Sequence, residues 1–135
     1  MAEMVLFDTS ILVTNLRTGD YTDRIGDCSG RIRNSSVVLA ELARGATGAA
    51  EKKLVRELGA SRPILTPTEK NWIESGELLA ALRAERGFEP PKLRDLHFDV
   101  LIALTARSHG ATLITSNRAD FELIRKYRSF KLEIW

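Results

Sequence analysis

Short apolar runs recurring between stretches of helical length constrain this chain more than any other feature. Met4 to Phe7, Pro63 to Leu65, Ala111 to Thr115 and Phe130 to Ile134 read as strands. In the last of these Phe130, Leu132 and Ile134 alternate with Lys131 and Glu133. Between them, Ile11, Leu12 and Leu16 pattern a helix that stops near Gly19. Ser35 or Ser36 caps a helix ending at Gly45, and Thr47 begins another ending at Gly59. Thr66 or Thr68 caps a long helix running to about Gly87. Glu89-Pro90-Pro91 breaks the chain, a further helix covers about Leu93 to Ser108, and Asn117 caps the next one. Asp20 to Arg33 reads as connection with a short element near Ile32. Strands joined by helices of this length pair in parallel and are covered on both faces. The expected fold class is α/β: three layers, a parallel sheet of about four or five strands, and one domain over residues 1–135, with no internal repeat or linker.

With 135 residues, 44% hydrophobic and 28% charged, such a domain needs no covalent staple. A lone Cys28 forms no internal disulfide, and with only His97 and His109 beside it there is no zinc-type cluster to assemble. A reducing, cytoplasmic setting is the expectation. Met1-Ala2-Glu3-Met4 has no basic leader character, and Val5-Leu6-Phe7 is too short to span a membrane. A net charge of +2 and a pI near 8.9 permit a nucleic-acid partner without announcing one.

The acids carry more information than the net charge. Sites in parallel sheets lie where the strands end, because the loops converge there. Asp8 follows the first strand, and Thr115, Asn117 and Asp120 follow the strand ending at Ile114. Each acid there also has a plain reading as a helix cap or a first-turn acid. Glu41 and Asp99 are harder to explain away. Glu41 shares a helical stripe with Val37, Val38 and Gly45. Asp99 shares one with Ile102, Ala103 and Ala106, on a helix apolar on nearly every side. An ionised carboxylate in such surroundings asks for a cation, from an ion pair with Arg44 or Arg107 or from a metal. If Asp8, Glu41, Asp99 and Asp120 meet in one pocket, a hard divalent ion, magnesium or manganese, relieves their repulsion and suits phosphodiester hydrolysis. Asp95 is a further acid one turn before Asp99, read as an exposed first-turn residue.

Four stretches, Asp8-Thr9-Ser10, Glu41-Leu42-Ala43-Arg44-Gly45, Asp99-Val100-Leu101-Ile102-Ala103 and Leu113 to Phe121, together resemble the PIN-domain nucleases, in family order and over almost the whole chain. The VapC-like toxin branch is the nearest likeness. The resemblance implies a magnesium- or manganese-dependent endoribonuclease acting on single-stranded RNA. Asp8, Glu41, Asp99 and Asp120 are its metal-binding and catalytic acids, and Thr9, Thr115 and Asn117 its supporting polar groups. It also implies a small antitoxin partner that blocks the groove, and a homodimer. A module that binds RNA or protein without cutting is the alternative. A haloacid-dehalogenase-type phosphatase would need an acid where Ser10 stands. Trp72 is expected in the core or at a subunit contact, Phe121 beneath Asp120, and Arg83, Arg86, Lys92 and Arg94 in a solvated loop or an RNA or antitoxin contact.

Overall fold

The computed structural model describes residues 3–135; Met1 and Ala2, half of the stretch read above for leader character, lie outside the described residues. Five strands form one parallel sheet: β1 (Met4–Phe7), β2 (Arg31–Ser35), β3 (Ile64–Leu65), β4 (Thr112–Thr115) and β5 (Lys131–Ile134), in the order β3-β2-β1-β4-β5. Seven helices lie between them: α1 (Thr9–Thr18), α2 (Thr22–Gly26), α3 (Ser36–Gly45), α4 (Ala49–Ser61), α5 (Glu69–Arg86), α6 (Pro90–His109) and α7 (Arg118–Arg125). The expected parallel α/β sheet is thus present with five strands. Among the described residues no helix is long and apolar enough to cross a membrane.

Alternation along the central strands sorts the core into two faces. Leu6 and Leu113, paired across β1 and β4, point to one side, where the apolar faces of α3, α5, α6 and α7 cover them. Val5, Phe7 and Ile114 point to the other, against Ile11, with Tyr21, Ile25 and Trp135 completing a smaller cluster. Helix α6 is the central support of the larger face. Every residue from Val100 to Ala106 is buried, as its nearly all-round apolar pattern requires.

Several local expectations change. Pro90 and Pro91 begin α6 rather than preceding it. At its first positions a proline gives up an N–H that had no helical partner anyway. Asp95 is therefore exposed in the second turn, not the first. The stretch Asp20 to Arg33 contains α2 and most of β2, and the apolar run Pro63 to Leu65, which reads as a short buried strand, forms an edge strand on which Ile64 is exposed. Trp72 is not in the core; it is 52% exposed, its ring edge-on to His97, beside an exposed Ile73. Phe121 is fully buried, its ring edge-on to Phe130.

Candidate active site

Strand order reverses between β1 and β4. The chain leaves β1 for β2 on one side and returns through β4 on the other, which opens a crevice at the carboxyl ends of these two strands. Asp8 and Thr115 stand at that edge. The Asp8 backbone N–H still bonds the Ile114 carbonyl at 2.9 Å, so the sheet itself sets its height. Asp8 occupies the N-cap position of α1, yet its side chain accepts no capping bond from the helix backbone. Oδ2 instead accepts from Thr115 Oγ1 at 2.7 Å and from Ser10 Oγ at 2.8 Å. The two hydroxyls lie 3.2 Å apart, and each accepts a backbone N–H, Ser10 from Ser116 and Thr115 from Asn117. A carboxylate only 3% exposed is thereby fixed in one orientation by groups drawn from both strand ends.

Glu41 comes from α3, whose start is set by Ser35, its hydroxyl accepting the Val38 N–H. Its stripe faces inward, and Thr9 Oγ1 donates to Oε1 at 2.7 Å. Burial pushes the Glu41 carboxyl above its ordinary range and the Asp8 charge adds to the rise, while the Thr9 bond and Arg44 oppose it. Asp99 shows the effect most strongly. Burial, then the charges of Asp8, Glu41 and Asp120, push its carboxyl up to about 8, with Lys92 pulling the other way. Asp120, in the first turn of α7, holds the Asn117 side-chain amide on Oδ2 and the Lys92 ammonium on Oδ1, each at 3.1 Å. Asn117 also caps α7 through Oδ1, so the cap reading and the site reading hold together at this residue.

Asp99 thus feels the charges of Asp8, Glu41 and Asp120, and Glu41 that of Asp8, around one crevice, with Thr9, Thr115 and Asn117 bonded to the other three acids. Arg44 lies over the Phe98 ring, and Arg107 bonds Ser129 rather than Asp99. Among the described residues no three His, Cys, Asp or Glu side chains close into a ready metal-ligating group. The donor chemistry nevertheless fits a hard cation: the charged groups are carboxylates flanked by hydroxyls, and Asp99 carries a like-charge penalty that a divalent ion would relieve. Two participants escape the sequence reading. Ser10 appears only as part of a motif, although its spacing two residues after a strand-end acid puts a hydroxyl within reach of it. The sequence groups Lys92 with Arg83, Arg86 and Arg94 in a loop, but all four are helical, in α5 and α6; Arg83 and Arg94 flank a shallow groove between these helices while Lys92 turns to the acids. The readable signal was its place seven residues, two helical turns, before Asp99.

A second feature adjoins Glu41. Helices α1, α3 and α4 leave a groove floored by Leu42 and walled by Val13 and Val55, with Leu16 and Leu54 about half exposed at its rim.

Comparison with known proteins agrees with this fold. The family model described as "PIN domain" matches residues 5–127. Comparison with curated proteins gives no significant match. Among solved structures, VapBC2 from Rickettsia felis bound to a DNA fragment from its promoter is similar at 26% identity and a TM-score of 0.72, over 98% of both chains. DNA-bound VapBC from Salmonella typhimurium is similar at 24% identity and a TM-score of 0.73, over 100% of this chain and 99% of that one. VapBC-5 from Mycobacterium tuberculosis, a toxin-antitoxin family member, follows at 22% and 0.66, over 98% and 99%.

Proposed function

The chain belongs to the PIN-domain family, and from that premise we propose that it is a magnesium- or manganese-dependent endoribonuclease that cleaves single-stranded RNA, the toxin of a type II toxin-antitoxin pair. The observation that carries the reading is the shared electrostatic environment of Asp8, Glu41, Asp99 and Asp120, expressed in the raised Asp99 carboxyl at the β1/β4 crevice. Those four residues would hold the ion. When bound, it would supply an acidified water and neutralise charge growing on the phosphate. The chain's own groups do the rest. Ser10 and Thr115 hold Asp8, Thr9 holds Glu41, and Asn117 holds Asp120, so that three acids meet the ion with their orientation already set. Asp99 must release its proton before all four act as anionic donors.

An antitoxin partner belongs to the same reading. The groove between α1, α3 and α4 offers apolar walls that end at Glu41, a shape suited to an amphipathic segment carrying a cation toward the acids. The similar structures named above are toxin-antitoxin complexes, which supports such a partner here. A homodimer is carried over with it.

The test is cleavage of single-stranded RNA by purified protein with magnesium or manganese, with and without excess chelator. Wild type is expected to cut only with metal, Asp8→Asn and Asp99→Asn to lose nearly all activity, and Asp95→Asn to keep most of it. Cutting that survives the chelator, or a fully active Asp99→Asn protein, refutes the reading. RNA retention without metal-dependent cutting by the wild type would make the chain a binding module instead.

A further inference from the structure

Lys92 occupies an unusual position for a surface lysine. Its ammonium sits 3.1 Å from Asp120 Oδ1 and acts on Asp99, so it faces the same carboxylates that the reading above assigns to a divalent ion. Its backbone is rigidly placed, in the first turn of α6 directly after Pro90 and Pro91, whose fixed φ preorganises that turn. Its head remains reachable: the side chain is 43% exposed, and its ammonium lies 5.9 Å from the centre of the Phe88 ring. Lys92 thus combines a fixed root, a flexible four-carbon stem and a charge resting on an acid that has a second claimant.

We propose that Lys92 is an exchangeable cation of the site, held on Asp120 until a divalent ion takes that carboxylate, and then free to bind a phosphate of the incoming RNA. Two charge arguments lead to this. An ammonium and a divalent ion compete for the same oxygen, since Oδ2 of Asp120 is already engaged by Asn117 and Oδ1 is the one Lys92 holds. Once displaced, the ammonium repels the ion and is drawn to the nearest anion. A polyanionic strand entering a crevice walled by four acids needs such a cation at its mouth. Among the described residues, Lys92 is the cation in direct contact with one of the four acids. No bond is made or broken in the exchange; one counter-ion replaces another.

The inference rests on the nuclease reading, and two measurements keep their failures apart. The first needs no RNA: calorimetric titration of the intact protein with manganese. Lys92→Met is expected to bind manganese several-fold more tightly than wild type, because the competing ammonium is gone, whereas Lys92→Arg, which keeps the charge, is expected to stay close to wild type. The second is the salt dependence of the KM for single-stranded RNA at saturating manganese. Lys92→Met is expected to raise KM several-fold and to flatten the logarithmic salt slope by about 0.7, the value for one lost phosphate contact on a single strand. kcat should change less than KM, and Lys92→Arg should restore most of both. Manganese affinity unchanged in Lys92→Met overturns the exchange. An unchanged KM and slope overturns the phosphate contact and with it the proposal. A wild type that binds manganese but cuts no RNA is instead the failure of the nuclease reading, and in that case the salt slope is read from RNA retention in a filter assay.

Discussion

A carboxyl that ionises near 3.8 in an unfolded chain and about 8 in the folded one links Asp99 to stability. Between those values the folded protein keeps a proton that the unfolded chain has lost. Folding is therefore favoured by this group fully below 3.8, and the contribution drains away as pH rises through about 8. Metal-free protein is expected to melt lower at about pH 8.5 than at about pH 5.5, and Asp99→Asn to lose that part of the dependence. The difference between the two proteins should amount to roughly 5 °C or more, read by calorimetry in chelator. A parallel fall in both proteins would mean that Asp99 is not the group responsible. The sequence exposes Asp99 because a carboxylate on a stripe of Ile102, Ala103 and Ala106 has nowhere apolar to hide. It does not expose Ser10 or Lys92 in the same way. A serine beside an acid and a lysine near a proline pair are ordinary on any surface, and only the meeting of β1, β4 and α6 makes them part of a site.

Among elements, β2 is the one that pattern reading locates least well, and its composition explains why. Arg-Ile-Arg-Asn-Ser lacks an apolar run, yet Asn34 and Ser35 are buried, because each finds a polar partner: the Leu58 carbonyl near the end of α4 for Asn34 and the nearby Val38 N–H for Ser35. The strand docks where Gly30 passes β1. A Cβ there would stand 2.6 Å from Val5 Cγ2 and 2.7 Å from the Glu3 carbonyl oxygen, the same oxygen that accepts the Arg31 N–H. Gly30→Ala is expected to cost about 1–3 kcal/mol in urea unfolding, since backbone must move to admit the methyl group. Gly76, exposed within α5 with nothing within 4 Å of its would-be Cβ, predicts the opposite. Gly76→Ala should stabilise by about 0.5–1 kcal/mol through helix propensity. Equal effects at the two positions would contradict the packing at Gly30. Helices α3, α5 and α7 were legible because their caps, Ser35, Thr68 and Asn117, all work as side-chain acceptors. The start of α6 was obscured by prolines that read as a break and serve as a beginning.

For the whole molecule, strand order lies beyond what local pattern can supply. Periodicity says that strands alternate with helices, whereas the order β3-β2-β1-β4-β5 depends on which faces fit together in space. That order has a consequence for how the protein is made. The first strand pairs on one side with β2, soon after it in the chain, but on the other with β4, and the Asp8–Thr115 bond closes across 107 positions of sequence. A chain emerging from the ribosome carries Asp8 and Glu41 well before Thr115 and Asp120, and contacts so distant in sequence form late. A chain ending at Gly110 lacks β4 and β5, and is expected to give neither a cooperative melting transition by circular dichroism nor cleavage of RNA; a cooperative melt from that fragment would show that the early elements stand alone. If the nuclease reading holds, a ribosome synthesising this protein shelters no working blade until β4 and α7 have followed the other elements out, which leaves time for an antitoxin made alongside to be waiting.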